Sequence, residues 1–344
     1  MKRFVALALS LMLLLTMSAA LAENAGIKIG IVTPDADHGF TGESVAHARA
    51  EAEDLKAAGV IEDYIMAVGN EASKQIQGLE EIMNQDVDAI MLWPLEGEQL
   101  RNAAQNIVDQ GIPLIIYDRL IENFEGKAAE IMGDNEKIGN MMGEYLLNYF
   151  DEDLKAGKTI NYLLFIGDAS TVSKQRTGGM VDVLNASPYG AQFNLLQEGF
   201  QTDWSNAKSK EFIENWLSTA DAATIADLDL IVTHDDEIVD GLMTVLSQES
   251  GMDDLRIITS VGGRRETLGT FDTVEKPELL TYYFSPSYIR EAIRLTVAVA
   301  KGEQYQGQDV AGQLFLIPTI EIDKDTVDEF RSSQEFIDRY AIFE

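Results

Sequence analysis

The sequence predicts an α/β protein built from two doubly wound parallel-sheet lobes, and three observations support that prediction. Short hydrophobic runs recur along the chain, and each ends in a small polar cluster. A helical pattern follows nearly every run, as in the strand–helix–strand units of parallel sheets. The scheme also occurs twice in tandem. The runs are 27–32, 113–117, 160–166, 228–232, 256–260 and 280–284.

The first half reads as four strands separated by three helices. The first helix is predicted over 44–57, the second carries Ile76, Leu79 and Ile82 on one face, and the third ends at Gly111. The strands are predicted at 28–32, 61–68, 89–93 and 113–117.

The second half repeats the arrangement with five strands. Two such lobes in tandem create a cleft between facing strand edges, and ligands of open parallel sheets bind beyond the carboxyl ends of the strands. We therefore expect the functional residues among the polar clusters at those ends. The strands of this half are predicted near 160–166, 191–196, 228–233, 257–260 and 279–284.

The amino terminus has the features of a secretion signal. Lys2 and Arg3 precede an apolar stretch at 4–17, and Ala20-Leu21-Ala22 forms an A-x-A cleavage site. The apolar stretch is shorter than the roughly 20 residues that a permanent membrane anchor needs. We expect cleavage after Ala22 to release a soluble periplasmic protein that begins at Glu23.

Composition excludes several classes of partner. The formal net charge is −32, and such an acidic protein repels nucleic acid and anionic membrane surfaces. The sequence contains no Cys, so neither a disulfide nor a lipid-modified cysteine is possible. We expect a monomer without nucleic-acid partners.

The sequence does not match the motifs that indicate catalysis or cofactor binding. Gly157-Lys158-Thr159 lacks the earlier glycine of a phosphate-binding loop and precedes its strand instead of following it. With three His and no Cys we expect no metal site and no cofactor. Asp235 and Asp236 form an adjacent carboxylate pair, but neighbouring residues at a strand end usually point apart, which is weak support for hydrolysis. We therefore expect no enzymatic activity.

Several segments, taken in order, resemble the periplasmic sugar-binding proteins of bacterial ABC importers, closest to the group that binds D-xylose, ribose or galactose. The resemblance covers nearly the whole chain after the signal. The segments that carry it are Gly69-Asn70-Glu71, Val87-Asp88-Ala89-Ile90, Gly111-Ile112-Pro113, Tyr117-Asp118-Arg119, 133–139, 176–180, 201–204, His234-Asp235 and Ile317-Pro318-Thr319.

The resemblance implies that the lobes are not simple halves of the chain. It implies a type I fold in which a hinge of three chain crossings joins the lobes, near Gly133, Ser285 and Pro318. The first lobe would then combine 23–133 with 286–318, and the second 134–285 with 319–344.

The resemblance also implies which residues bind the ligand. Arg176 is similar to the family's second-lobe arginine, and Trp204 and Asp235 stand where the xylose group has a stacking ring and a polar contact. Asp118 and Arg119, at a strand end, are expected to supply the first-lobe polar contacts. Asp and Arg suit sugar hydroxyls, and aromatic rings suit the C–H faces of a sugar.

Residues in the loop after the first strand complete the predicted site. Phe40 is expected to stack on the sugar opposite Trp204, and His38 is a further candidate contact. Each site residue also has an alternative structural role, such as a surface salt bridge for Asp118 and Arg119.

Two departures from the family pattern affect the identity of the sugar. Gly262-Gly263, followed by Arg264-Arg265, stands where the family usually has an Asp, and Ser285 stands where the xylose group has a Lys. The resemblance therefore predicts a monosaccharide as the class of ligand, but it does not predict which sugar binds. Arg264 is a candidate ligand contact, and if it faces the cleft the ligand is a sugar acid.

The prediction is therefore a non-enzymatic binding protein that captures a pentose or hexose and delivers it to an ABC permease. One alternative is a sensory protein that presents its ligand to a chemoreceptor or sensor kinase. The other is an extracytoplasmic sugar hydrolase, which needs two carboxylates at a set separation across the cleft.

Overall fold

A computed structural model describes residues 26–35, 39–249, 252 and 254–344. Two sheets organise it, one of six strands and one of seven. The predicted signal segment and His38 lie outside the described residues.

The six-stranded sheet and the helices packed on it form the first lobe. All its strands are parallel, in the spatial order β12-β5-β4-β3-β1-β2. The elements of this lobe are β1 (Lys28–Thr33), α1 (Gly39–Ala57), β2 (Asp63–Val68), α2 (Ala72–Met83), β3 (Ala89–Leu92), α3 (Gly97–Asp109), β4 (Leu114–Tyr117), β5 (Ala129–Gly133), α11 (Ile289–Lys301) and β12 (Gln313–Ile317).

The seven-stranded sheet and its helices form the second lobe. Its order is β13-β11-β10-β9-β6-β7, with β8 also paired to β6, and only the β11–β13 pair is antiparallel. The elements are α4 (Asn135–Tyr149), α5 (Asp151–Lys155), β6 (Ile160–Ile166), α6 (Thr171–Ala186), β7 (Phe193–Leu195), β8 (Phe200–Gln201), α7 (Asn206–Thr219), α8 (Ala222–Ala226), β9 (Leu230–Thr233), α9 (Asp236–Leu246), β10 (Ile257–Gly262), α10 (Arg265–Thr270), β11 (Glu278–Tyr283), β13 (Glu321–Ile322), α12 (Val327–Arg331) and α13 (Gln334–Tyr340).

The predicted fold class is confirmed, with differences in detail. The first helix begins at Gly39 and not at Ser44, and its buried face includes Ser44 and His47. Two strands that are not predicted from the sequence, β5 and β12, complete the first sheet.

The chain passes between the two sheets three times. It leaves the first sheet after Gly133, returns to the first lobe after Ser285, and passes back to the second sheet between β12 and β13. That the lobes divide at the positions given above stays a prediction.

The central strands of both sheets are buried. Leu92 in β3 and Val232 in β9 are fully or almost fully buried, and the parallel register aligns the strand ends of each lobe at one edge. Among the described residues, none of the helices combines the length and the apolar character that crossing a membrane requires.

Candidate functional site

A cavity of about 660 Å³ lies between the two lobes at the carboxyl ends of the strands. Its size falls in the range of small-molecule sites, which are about 300–1,000 Å³. Residues from both lobes form its walls: Gly39, Phe40, Thr41, Trp93, Leu95, Asp118, Arg119, Val172, Arg176, Asp203, Trp204, Ser205, Asn206, Ala207, Asp235, Glu237 and Phe284.

Asp118 is the buried carboxylate of the first-lobe wall. It follows β4 in the left-handed region, at φ 63°, an unusual conformation for a residue other than glycine. The side chain is 4% exposed, and its Oδ1 finds no hydrogen-bond partner among the described residues. Burial raises the pKa of this carboxyl. A buried acceptor without a partner suits a ligand that donates a hydroxyl hydrogen.

Arg119, next to it, spans the cleft. Its Nη1 donates to the backbone oxygen of Leu95 at 2.6 Å, and its Nη2 pairs with Asp168 of the second lobe at 3.0 Å. Burial opposes ionisation of Asp168, but the pairing with Arg119 and hydrogen bonds from Ser170 lower its pKa overall. Asp168 is not among the site residues predicted from the sequence, although it closely follows the hydrophobic run at 160–166.

Arg176 lies within α6 and is 3% exposed. Its Nε donates to Asn135 Oδ1 at 2.8 Å, and its Nη1 donates to the backbone oxygen of His234 at 2.6 Å. The guanidinium lies 4.6 Å from the ring centre of Phe284 and 5.7 Å from that of Trp204. Burial lowers its pKa to about 10, so it stays charged at neutral pH. These contacts fix the guanidinium in one orientation.

Trp204 forms the aromatic wall of the second lobe. Its backbone is left-handed, at φ 59°, and the preceding Asp203 is also left-handed, at φ 50°. The ring lies directly against Gly167, where a Cβ would come within 2.1 Å of it. The indole Nε1 is buried and has no hydrogen-bond partner among the described residues. Such backbone strain is typical of functional sites.

Phe40 supplies a ring from the first turn of α1. It packs against Trp93 with ring centres 6.0 Å apart, and against Phe284 at 5.4 Å. Trp93 and Phe284 directly follow β3 and β11, so both rings come from strand ends. The hydrophobic pattern predicts both residues as the last residues of strands and does not predict that they line the cavity.

Asp235 follows β9, and its side chain caps α9, with Oδ1 accepting the backbone N–H of Glu237 at 2.8 Å. Burial, and then the neighbouring Asp236, raise its pKa to about 7. Asp236 points the other way, into the lobe, where its carboxylate accepts from Ser260 Oγ at 2.5 Å and Thr281 Oγ1 at 3.0 Å. The two carboxylates therefore diverge, as expected for neighbours at a strand end.

Arg264 is not among the residues that line the cavity. Its Nη1 lies 3.2 Å from Asp240 Oδ2 and 3.5 Å from Glu237 Oε1. The structure thus brings together six of the predicted site residues, leaves Arg264 behind Glu237, and does not describe His38. The six are Phe40, Asp118, Arg119, Arg176, Trp204 and Asp235.

Within the described parts of the chain, no cluster of three or more His, Asp or Glu side chains could hold a metal ion. The cavity instead combines aromatic faces with fixed acceptors and donors. That combination defines a protein that encloses a small polar ligand between two lobes.

Comparison with known proteins gives the family. A family model described as a periplasmic binding protein domain matches residues 29–304, so the chain belongs to that family. The periplasm is the compartment that the family implies.

The individual relatives are distant in sequence. A D-xylose-binding periplasmic protein of Haemophilus influenzae is 22% identical over 296 residues, which cover 81% of this chain and 82% of the relative.

Two solved structures share the fold. An ABC transporter solute-binding protein from Bacillus halodurans with bound myo-inositol has a TM-score of 0.73 at 18% identity, over 90% of this chain and 99% of that one. The fructose-binding periplasmic domain of a hybrid two-component system has a TM-score of 0.72 at 18% identity, over 92% of this chain and 96% of that one.

Proposed function

We propose that this protein captures one monosaccharide in the interlobe cavity and delivers it unchanged to an ABC permease. The observation that carries the proposal is the cavity itself, in which aromatic rings from both lobes accompany the buried, unpartnered Asp118 carboxylate. Sugars have apolar faces and hydroxyl rims, which these two kinds of group recognise.

Each residue has a distinct role in this proposal. Phe40 and Trp204 cover the faces of the sugar. Asp118 and Asp235 accept hydroxyl hydrogens, one from each lobe, and Arg176 donates to a ring or hydroxyl oxygen. Arg119 donates a hydrogen bond to the sugar from the first lobe and also pairs with Asp168 of the second lobe.

An uncharged sugar fits this cavity better than a sugar acid. The sugar-acid hypothesis depended on Arg264 in the cleft, but its guanidinium lies among the carboxylates of Asp240 and Glu237. Arg119 is also neutralised by Asp168. A ligand carboxylate would meet two carboxylates, Asp118 and Asp235, and only one guanidinium, that of Arg176, whose hydrogen bonds go to Asn135 and the backbone oxygen of His234. Close like charges destabilise one another.

A thermal-shift screen of the protein from Glu23 onward tests the proposal. The probes are D-xylose, D-ribose, L-arabinose, D-galactose, D-glucose, myo-inositol and D-glucuronate. Affinity near micromolar, about −8 kcal/mol, is the expected scale. A sugar at 100 times its dissociation constant adds about 2.7 kcal/mol of stability, which a melting curve resolves readily. No shift with any probe would count against sugar binding.

Variants of the proposed site separate ligand contacts from structural residues. Arg119→Ala and Trp204→Ala should each weaken binding about tenfold or more, because each leaves polar or apolar ligand surface without a partner. Trp216→Ala is the matched control, since Trp216 is 5% exposed in the core of the second lobe. It should cost about 3–5 kcal/mol of stability. If the first two variants melt early yet bind normally, the proposed site is wrong.

A sensory role is the second candidate. The structural match to a periplasmic domain of a two-component system favours it, since the fold serves both kinds of partner. Deleting the permease gene should abolish sugar uptake if transport is the role, whereas sugar-induced signalling would survive the deletion.

Enzymatic hydrolysis has less support. Asp236 binds Ser260 and Thr281 inside the lobe, so it does not join Asp235 in the cavity as an acid/base pair. Sugar recovered chemically unchanged after prolonged incubation would agree with a binding role, and altered sugar would contradict it.

A further inference from the structure

The carboxyl-terminal helix α13 belongs to the second lobe. Tyr283 of β11 donates its hydroxyl hydrogen to the backbone oxygen of Glu335 at 2.8 Å. The backbone N–H of Arg265 donates to the Tyr340 hydroxyl at 2.8 Å, and the Arg265 guanidinium lies 4.1 Å from the Tyr340 ring centre. Arg265 therefore fastens α13 to its own lobe.

Arg339 of α13 reaches both lobes. Its Nη1 donates to the backbone oxygen of Gly262 at 3.0 Å, at the end of β10. Its Nε and Nη2 lie 3.2 and 3.1 Å from Glu43 Oε2, on α1 of the first lobe. The Arg339 side chain is only 1% exposed, whereas the Glu43 side chain is 22% exposed.

A second contact joins the same two helices. The His47 ring, in α1, is within 2.9 Å of the Arg339 backbone oxygen through Nε2. Arg290 Nε donates to His47 Nδ1 at 3.1 Å, so Nε2 carries the ring proton and donates it to Arg339. Burial, together with Arg290, lowers the pKa of His47 to about 4, which keeps the ring neutral in this arrangement.

We propose that Arg339 is an interlobe tie that holds α1 in the closed arrangement and so positions Gly39 and Phe40 at the cavity. A buried guanidinium that bonds a carboxylate of one lobe and a carbonyl of the other cannot keep both contacts when the lobes separate. The fork geometry of arginine suits this double contact, which a lysine ammonium would not reproduce. The tie deepens the proposed function, since it controls closure of the same cleft.

Arg331 provides a matched control close by. It lies on α12, is 25% exposed, and binds Asp272, Asp328 and the backbone oxygen of Leu268. All of these partners belong to the second lobe. Loss of Arg331 therefore removes a comparable set of contacts without touching the other lobe.

Interlobe distances measured by double electron–electron resonance test the proposal without any ligand. The chain has no Cys, so Gln99→Cys on α3 and Glu211→Cys on α7, both exposed, give one spin label in each lobe. We expect Arg339→Gln to raise the open-to-closed population ratio about fivefold or more, because a broken charged contact at a buried site costs at least that factor. Arg331→Gln should leave the distance distribution unchanged.

Two further variants sharpen the result. Arg339→Lys should rescue closure only in part. Glu43→Ala, made on the more exposed partner, should open the lobes even if Arg339→Gln fails to fold. Distributions identical to wild type in folded Arg339→Gln, or in Glu43→Ala, would overturn the tie. Because no ligand is added, this outcome is independent of whether the sugar screen succeeds.

Discussion

At the scale of single residues, Asp118 has features that lower the stability of the empty protein and favour sugar binding. Its carboxylate is buried, its backbone is left-handed, and one of its oxygens has no partner among the described residues. Each of these features costs free energy in the empty protein. A sugar hydroxyl would satisfy the free oxygen and offset part of that cost.

Asp118→Asn tests both effects of Asp118, on the stability of the empty protein and on sugar affinity. Asparagine keeps the shape and tolerates the left-handed conformation, so the empty protein should melt at the same temperature as wild type or higher. Sugar affinity should fall about tenfold or more, because a charge-assisted hydrogen bond is lost. Calorimetric melting and titration of the variant give both values. Wild-type affinity would show that Asp118 does not contact the ligand.

Asp235→Asn tests the pKa of about 7 through pH dependence. Because this pKa is raised in the folded state, the folded protein retains a proton between about pH 4 and 7 that the unfolded chain has lost. The stability contributed by this group is therefore lost as pH rises through that range. Asparagine does not titrate and keeps the cap on α9.

The melting temperature of empty Asp235→Asn should therefore match wild type near pH 4 and exceed it increasingly up to about pH 8. Melting curves of both proteins across this range decide the question. A difference that stays constant with pH would mean that Asp235 titrates near its ordinary value in the folded protein.

At the scale of elements, hydrophobic periodicity predicted most strands because their interiors are continuously buried. The strand 160–166 matches β6 at both ends, and the predicted strand at 28–32 lacks only Thr33 of β1. Strands 129–133 and 313–317 were not predicted because their sequences are less uniformly apolar. Glu130 lies inside β5, and β12 is an edge strand with Leu314 and Leu316 exposed.

The sequence pattern predicted only some of the residues that line the cavity. Polar residues at strand ends could be found from sequence, which explains why Asp118, Arg119 and Asp235 reach the cavity. Trp93 and Phe284 could not be separated from the core by periodicity, since both extend a buried strand. The orientation of Arg264 depends on Asp240 and Glu237, one helix turn apart on α9, and on a tertiary contact that sequence spacing does not reveal.

Gly167→Ala tests whether the end of β6 positions the stacking ring. A Cβ there would come within 2.1 Å of the Trp204 ring, so the ring must move and sugar affinity should fall about fivefold or more. Gly178→Ala on α6 is the matched control, because its Cβ meets no atom within 4 Å. That variant should bind normally and be stabilised by roughly 1 kcal/mol. Equal affinities for the two variants would contradict a positioning role of Gly167.

At the scale of the whole molecule, the first prediction concerns the removal of the amino-terminal signal. Protein recovered from the native host should begin at Glu23, because the A-x-A site ends at Ala22. Amino-terminal sequencing or intact mass measurement checks this. A retained amino terminus in the membrane fraction would contradict the proposed cleavage.

The two lobes meet through the site and outside it. Arg119 pairs with Asp168 inside the cleft, and Lys174 pairs with Glu122 at 2.9 Å on the surface. The surface pair is more than half exposed on both sides, so it contributes at most about 1 kcal/mol. The ligand and the buried contacts must therefore supply most of the free energy of closure.

Isothermal titration calorimetry with the sugar that the screen identifies tests the central claim most directly. Wild type should bind one sugar per chain, and Asp118→Asn in the first lobe and Trp204→Ala in the second should each weaken binding about tenfold or more. Arg331→Gln should bind as wild type does. Wild-type affinity in either cleft variant would contradict a sugar held between the two lobes.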